Sequence, residues 1–261
     1  MKNKEAMTLD RVLSRMGMAS RTSARQAILS GRLKVNGRVV RDPDCWVQPG
    51  RDFIQFDGNR VKRVRKIYLV LYKPKGVITS HGDPSGRKTV YDILRAGNST
   101  AAAKEDCRWV SPVGRLDQDT SGLLLMTNDT EFANFITRPE SQVAKTYLVK
   151  TSGLLSDEII ARLAAGVVMK RGDRAQPVSV RRTEDRGKYT WLEIVLTEGK
   201  NREVRRMIEV VGFKVLKLVR TRIGPLTLEG LEVGKWRSLT TPEFLALKKS
   251  RLPEASFLRS D

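Results

Sequence analysis

The chain has 261 residues, with 49 Lys or Arg against 29 Asp or Glu, a formal net charge of +20. A hydrophobic fraction of 40% is enough for a core, and the length allows one large domain or a small one plus a larger one. The charge predicts a polyanionic partner, nucleic acid ahead of membrane, because no apolar run nears the roughly 18 residues of a spanning helix. No strongly amphipathic basic helix with aromatic anchors is seen either. The opening residues Met1 to Met7 carry no apolar signal core, and Cys45 and Cys107 stand apart without ligand partners. Two reduced thiols in a cytoplasmic protein are expected.

Leu9, Val12, Leu13 and Met16 recur at helical spacing, so a first helix starts at Thr8 or Asp10 and stops at Gly17. Ser20 caps a second helix, with Ala24, Ala27 and Ile28 inward and Arg21 and Arg25 four apart on the other side. Gly31 ends it. Asn36-Gly37 between Leu33-Lys34-Val35 and Arg38-Val39-Val40 marks a tight hairpin. More short strands are expected at Trp46-Val47 and at Phe53 to Phe56. Residues 1–66 hold sixteen Lys or Arg and six Asp or Glu, a net charge of +10. Half of the excess thus falls in a quarter of the chain, beside one helix face and a hairpin, which suits phosphate contacts. Asn59 to Lys66 is a basic run with little to bury, and the domain boundary falls within it. The predicted domains are 8–62 and 67–250.

The second domain opens with a strand, Ile67 to Tyr72, then the turn Lys73-Pro74-Lys75-Gly76. His81 has no ligand partners at metal spacing and reads as a hydrogen-bonding or surface residue. A helix over Thr89 to Leu94 precedes a polar, Ala-rich stretch at 98–106, read as an insertion without assigned function. Near the middle of the chain stands Gly114-Arg115-Leu116-Asp117-Gln118-Asp119-Thr120-Ser121-Gly122, followed by Leu123 to Met126 and Thr127-Asn128-Asp129. The apolar run is a short buried strand. Asp117 then lies in the loop that feeds it, where a carboxylate is both held and reachable. An inert Asx-turn residue is the alternative.

Downstream, Glu131 to Ile136 is a helix ending near Pro139, and Lys145 to Lys150 an alternating strand. A helix and turn are expected over 156–168, with Ile159, Ile160, Leu163 and Val167 apolar. Leu192 to Leu196 is another strand. It leads into a helix starting near Asn201, with Val204, Met207, Ile208 and Val211 on one stripe and Arg202, Arg205 and Arg206 opposite. Arginines in a helix's first turns oppose its dipole, which calls for a nearby anion, either RNA phosphate or a buried Asp. Final strands at 215–226 and 236–239 and a helix from Glu243 to Lys249 close the domain.

The string G-R-L-D-x-x-T-x-G-L-L-L-x-T-N-D resembles the signature of the ribosomal RNA pseudouridine synthases of the RsuA and RluB group. The Lys-Pro-x-Gly turn, the Lys-x-Tyr strand and the Gly199 to Arg205 segment are similar to that family too. So is Leu218-x-Arg220-x-Arg222-Ile223-Gly224-Pro225-Leu226. The resemblance implies catalysis by Asp117, Tyr147 packed against the target nucleotide, and Arg205 paired with Asp117 so as to hold it charged and oriented. The N-terminal pattern resembles the small RNA-binding domain first described in ribosomal protein S-four. That implies RNA contacts by Arg21, Arg25, Lys34 and Asn36. Lys73, Arg115 and Arg202, set among the catalytic motifs, are expected to touch RNA as well.

The implied fold class is α+β: a small α/β RNA-binding domain of two helices and short strands, then a catalytic domain on a mostly antiparallel mixed sheet. No Gly-rich phosphate loop, dinucleotide fingerprint or Cys/His metal set appears. The expected reaction is therefore free of cofactor and metal: isomerisation of a uridine in ribosomal RNA, more in the manner of large-subunit enzymes, to pseudouridine. The expected partner is ribosomal RNA or a pre-ribosomal particle, met by a monomer without membrane attachment. A non-catalytic RNA-binding ribosome-assembly factor would share the charge and the N-terminal domain, but has no use for Asp117, Tyr147 and Arg205 together.

Overall fold

The computed structural model describes residues 6–16, 18–19, 21–61, 65–96, 110–169 and 172–250. The expected Gly17 stop, the Ser20 cap, Cys107, the 98–106 stretch and the middle of the linker at 62–64 lie outside the described residues.

The N-terminal unit begins with β1 (Met7–Thr8) and α1 (Leu9–Arg15), then α2 (Arg21–Leu29). Leu9, Val12 and Leu13 are fully buried against Ala24, Ala27 and Ile28, as their spacing requires. Gly31 follows α2 at φ 75°. Strands β2 (Leu33–Val35) and β3 (Arg38–Val40) are joined by Asn36 and Gly37, both at positive φ (50° and 83°), the backbone that a two-residue hairpin turn needs. The strand β4 (Trp46–Val47) pairs with β1, while β5 (Ile54–Phe56) and β6 (Asn59–Arg60) complete a sheet ordered β3-β2-β5-β6.

Asp10 is completely buried in this unit. Arg21 donates to its Oδ2 from Nε (3.1 Å) and Nη2 (3.0 Å), and Arg25 Nη1 stands 3.6 Å from the same oxygen. Burial pushes the Asp10 carboxyl up, but the Thr8 hydroxyl, Arg21 and the Arg11 amide together hold it below the usual range. The shared face of Arg21 and Arg25 therefore first neutralises a buried acid.

The larger unit holds β7 (Tyr68–Lys73), α3 (Val90–Ala96), β8 (Ser111–Pro112), β9 (Ser121–Thr127) and α4 (Thr130–Thr137). The carboxylate of Asp129 caps α4 by accepting from the amides of Glu131 and Phe132. Next come β10 (Lys145–Thr151), α5 (Asp157–Ala164), β11 (Val167–Val168) and β12 (Arg174–Ala175). Gly166, at φ 88°, ends α5, so Val167 belongs to a short strand rather than to the helical stripe. The chain continues through β13 (Ser179–Arg186), β14 (Tyr189–Leu196), α6 (Glu203–Val210), β15 (Val215–Ile223), β16 (Leu226–Thr227), β17 (Trp236–Ser238) and α7 (Thr241–Lys249).

A nine-stranded sheet carries this unit, in the order β13-β14-β10-β15-β9-β7-β17, with β16 on β15 and β8 on β9. All its pairings are antiparallel except β15 with β9. Sequence patterning missed β13, because Ser-Val-Arg-Arg-Thr-Glu-Asp-Arg is almost wholly polar. It is an edge strand, where charge blunts pairing with other chains.

The parallel junction is short: Val219 opposite Ser121 and Arg220 opposite Gly122. Gly122 sits at φ 117°, and a methyl group there would stand 2.3 Å from the Arg220 carbonyl oxygen. Both the conformation and the contact exclude a side chain. Gly122→Ala is expected to destabilise the domain by about 4 kcal/mol or more. Gly82→Ala, where an added methyl meets nothing within 4 Å, should change stability by no more than about 0.5 kcal/mol. Urea unfolding midpoints check both.

Candidate active site

Asp117 lies in the turn before β9, where the Thr120 amide donates to the Asp117 carbonyl (3.1 Å). A buried ammonium holds this turn. Lys73, at the end of β7, has no exposed surface. Its Nζ donates to the carbonyls of Pro74 (3.1 Å), Asp117 (3.0 Å) and Thr120 (2.7 Å). Burial pushes its pKa down to about 8, against the pull of Asp117 and Asp119. The expectation that Lys73 contacts RNA is thus corrected: its three N–H donors are spent on backbone. Further ties run from the Gly76 amide to the Gln118 carbonyl (2.7 Å) and from the Thr79 hydroxyl to the Leu116 carbonyl (2.8 Å). The backbone is clamped, while the Asp117 carboxylate keeps about 35% of its surface exposed.

Arginines approach from α6. Arg202, just before the helix, adopts the left-handed conformation at φ 48° and ψ 35°. Its Nη1 lies 3.4 Å from Asp117 Oδ2 and 3.4 Å from Asp119 Oδ1. Arg205 is buried, with Nη2 3.0 Å from Asp119 Oδ2 and donating to the Asp119 carbonyl (3.0 Å) and the Thr120 hydroxyl (3.4 Å). Two expectations change here. The pairing of Arg205 with Asp117 does not form; Arg205 binds Asp119, and Arg202 reaches Asp117. The arginines also do not share a solvent face, since Arg205 packs inward on the Asp119 loop and Arg206 pairs with Asp173 at 3.0 Å. The anion demanded at this helix start is a pair of aspartates.

Asp117, Leu116, Arg115 and Arg202 line two neighbouring cavities. One, of about 730 Å3, lies toward Gly76, Thr79, Asp83 and Arg87. The other, of about 600 Å3, lies toward Tyr147, Lys145, Arg220 and Glu203. Both volumes suit a small-molecule-sized occupant such as a nucleotide. Tyr147 is buried in the second cavity and stands opposite Arg220 in the β10–β15 register.

Buried charge collects around that second cavity. Lys145 donates to the Thr197 carbonyl (2.8 Å), and burial, with Arg220 beside it, lowers its pKa to about 8. Glu203 is raised to about 8 by burial and by its hydrogen-bonded neighbour Glu198. Burial alone would raise Glu198, but its bonds to Glu203 and Lys200 keep it below the usual carboxyl range. One proton thus rests on Glu203 and one negative charge on Glu198, paired with Lys200 at 2.8 Å.

Arg115 and Lys34 are exposed. Arg21 and Arg25 are partly exposed, with Arg25 also bidentate on Asp44 at 2.9 and 3.1 Å. Asn36 turns its amide to Asp52 (2.9 Å) and to the Phe53 amide (2.8 Å), a structural use. His81 shares a hydrogen bond with the Tyr91 hydroxyl at 2.8 Å, in line with its expected bonding role. Sequence reasoning missed Asp119, Lys145, Glu203 and Arg220 as site residues. Asp119, Lys145 and Glu203 stood inside quoted motifs, and Arg220 began the R-x-R pair, but nothing in the string marks them as buried.

Residues 67–210 match the family model described as RNA pseudouridylate synthase, and residues 7–52 match the S4 domain. A small RNA-binding module joined to an RNA-modifying isomerase domain is the class so defined. The chain belongs to the RNA pseudouridylate synthase family. It is 39% identical to ribosomal large subunit pseudouridine synthase B of Bacillus subtilis (strain 168), over 92% of this chain and 95% of that one. It is 40% identical to an uncharacterized RNA pseudouridine synthase of Aquifex aeolicus (strain VF5), over 93% of this chain and 94% of that one. A solved pseudouridylate synthase superposes with a TM-score of 0.65 at 28% identity, covering 92% of this chain and 99% of that one.

Lys73→Met removes the donor shared by three carbonyls. Stability is expected to fall by about 3 kcal/mol and isomerisation to be lost, with RNA affinity nearly unchanged. Urea denaturation, a filter-binding assay and pseudouridine analysis of the treated RNA read the three effects.

Proposed function

We propose that this enzyme converts a uridine of large-subunit ribosomal RNA to pseudouridine without a cofactor. The observation that carries the reading is the position of Asp117: a partly exposed carboxylate on a backbone clamped by Lys73, at the border of two nucleotide-sized cavities. The choice of RNA is supported by relatives named ribosomal large subunit pseudouridine synthase B, from Bacillus subtilis and from Yersinia pestis.

In this reading Asp117 begins the reaction at the ribose, by attack at C1′ or by removing the proton at C2′. The N-glycosidic bond breaks, the uracil turns, and C5 joins C1′. Tyr147 packs against the extruded base. Arg205 acts through Asp119 and Thr120, holding the loop. Arg202 closes over Asp117 through a long, exposed ion pair, a weak contact that a nucleotide can displace. Arg115, exposed beside Asp117, meets the RNA near the opened stack. Extruding the base costs roughly a few kcal/mol, so contacts elsewhere must hold the RNA. Residues 8–62 supply them through Lys34, Arg21 and Arg25, and residues 67–250 carry the chemistry. No helix among the described residues is long and apolar enough to cross a membrane. The reading puts the protein on ribosomal RNA or a pre-ribosomal particle in the cytoplasm, as a monomer.

Asp117→Asn is expected to fold and bind RNA but make no pseudouridine. Mass-based mapping of ribosomal RNA from a deletion strain carrying the variant tests this, and full rescue would remove Asp117 from the mechanism. Lys34→Glu should weaken binding across RNA sequences and lower the slope of log affinity against log salt by about one. Titration of RNA binding between low and moderate salt reads it.

A further inference from the structure

Two cations lie buried on the floor of the second cavity. Lys145 is 7% exposed and Arg220 4%. Tyr147 stands opposite Arg220 on the neighbouring strand, and Lys145 lies two residues from Tyr147, on the same face of β10. All three line one cavity with Asp117. Arg220 Nε donates to the Leu123 carbonyl (2.8 Å), and its Nη2 is buried with no hydrogen-bond partner. Neither cation has an ion pair among the described residues. Glu198 is taken by Lys200, and Glu203, the acid beside Lys145, carries a proton near neutral pH. Two uncompensated buried cations are costly unless an occupant brings negative charge. Tyr147, Leu196, Leu218 and Ile223 also line the cavity, and these surfaces suit a planar base better than a phosphate.

We propose that Lys145 and Arg220 form an electrophilic floor that binds the detached uracil as its anion, an inference that rests on the isomerase reading above. When the N1–C1′ bond breaks, its electron pair passes to N1, and the resulting monoanion spreads its charge over O2 and O4. The ammonium and the free Nη2 of the guanidinium are the donors for those oxygens while the ring turns. The bond from C5 to C1′ then forms with the anion's electron pair. The proton on C5 leaves to solvent and N1 takes one up, so the sum is an isomerisation. Fixed donors aimed at charge that develops only during reaction accelerate the chemical step rather than binding.

The test varies the leaving group. A target RNA is made with uridine or with 5-fluorouridine at the reacting position, the fluorine stabilising the departing anion. Loss of the starting nucleoside is followed under single-turnover conditions by mass analysis of digests. Lys145→Gln and Arg220→Gln are each expected to slow uridine by about a hundredfold and 5-fluorouridine by only about tenfold. RNA affinity should stay within about threefold, and Lys145→Arg should keep the wild-type ratio of the two rates. Equal slowing of both substrates, or an altered ratio in Lys145→Arg, would overturn the proposal. Weakened binding with unchanged rates would also overturn it, and would assign the cations to a phosphate. Melting curves identify folded variants. If only one Gln variant folds, its ratio decides, and if neither folds, Lys145→Arg and Arg220→Lys decide, the displaced charge of the latter being expected to raise the ratio. Wild-type enzyme on uridine RNA is the separate control: its failure to form pseudouridine sinks the isomerase reading, whereas its success with equal slowing in the variants sinks only the floor.

Discussion

The buried ammonium of Lys73 is the constraint on which the site depends. Three carbonyls from two stretches of chain converge on it, two of them from the loop that carries Asp117. A loop before a central strand has no ladder of its own to hold it, and this donor replaces one. Burial costs the charge a good part of its basicity, as its lowered pKa records. The return is a backbone that stays in place while the carboxylate above it remains open to solvent and substrate. Rigid support beneath a reachable group is what a reacting side chain requires.

Charge around the loop is divided by depth. The buried guanidinium of Arg205 is committed to Asp119 and Thr120, which are structural partners. The more exposed Arg202 makes only the 3.4 Å contacts with Asp117 and Asp119. In the proposed reaction, a tight, desolvated pair with Asp117 would have to be broken at every turnover. Giving the strong pair to Asp119 and the weak one to Asp117 avoids that cost. The left-handed backbone at Arg202 makes this division possible, because it turns one guanidinium out of the helical series.

The sheet explains where the cavities lie. Its β13-β14-β10-β15 half and its β9-β7-β17 half meet through one short parallel pairing, and Gly122 lets the backbones approach there. The Asp117 loop enters at that junction. Tyr147, Lys145 and Arg220 come from the β10 and β15 side, whereas Lys73 and Asp117 come from the β7 and β9 side. The site therefore needs both halves.

Local signals in the amino-acid string settled a good deal. Helical spacing at Leu9, Val12 and Leu13, the Asn36-Gly37 turn, and the apolar run Leu123 to Met126 before Thr127-Asn128-Asp129 each act within a few residues, and each element formed where its pattern stood. The long motif around Asp117 singled out the carboxylate proposed to react before any contact was known. Partners across the fold were not legible. Whether a basic side chain meets RNA, a carbonyl or an aspartate depends on neighbours 47 to 97 positions away: Lys73 ends on Thr120, Arg205 on Asp119, Arg220 on Leu123. The polar strand β13 was invisible for the same reason, since an edge position and not an apolar pattern makes it a strand. Periodicity determined the helices and the apolar strands; only the packing of elements distant in the chain decided which charges are buried, and burial is what separates a surface lysine from a clamp.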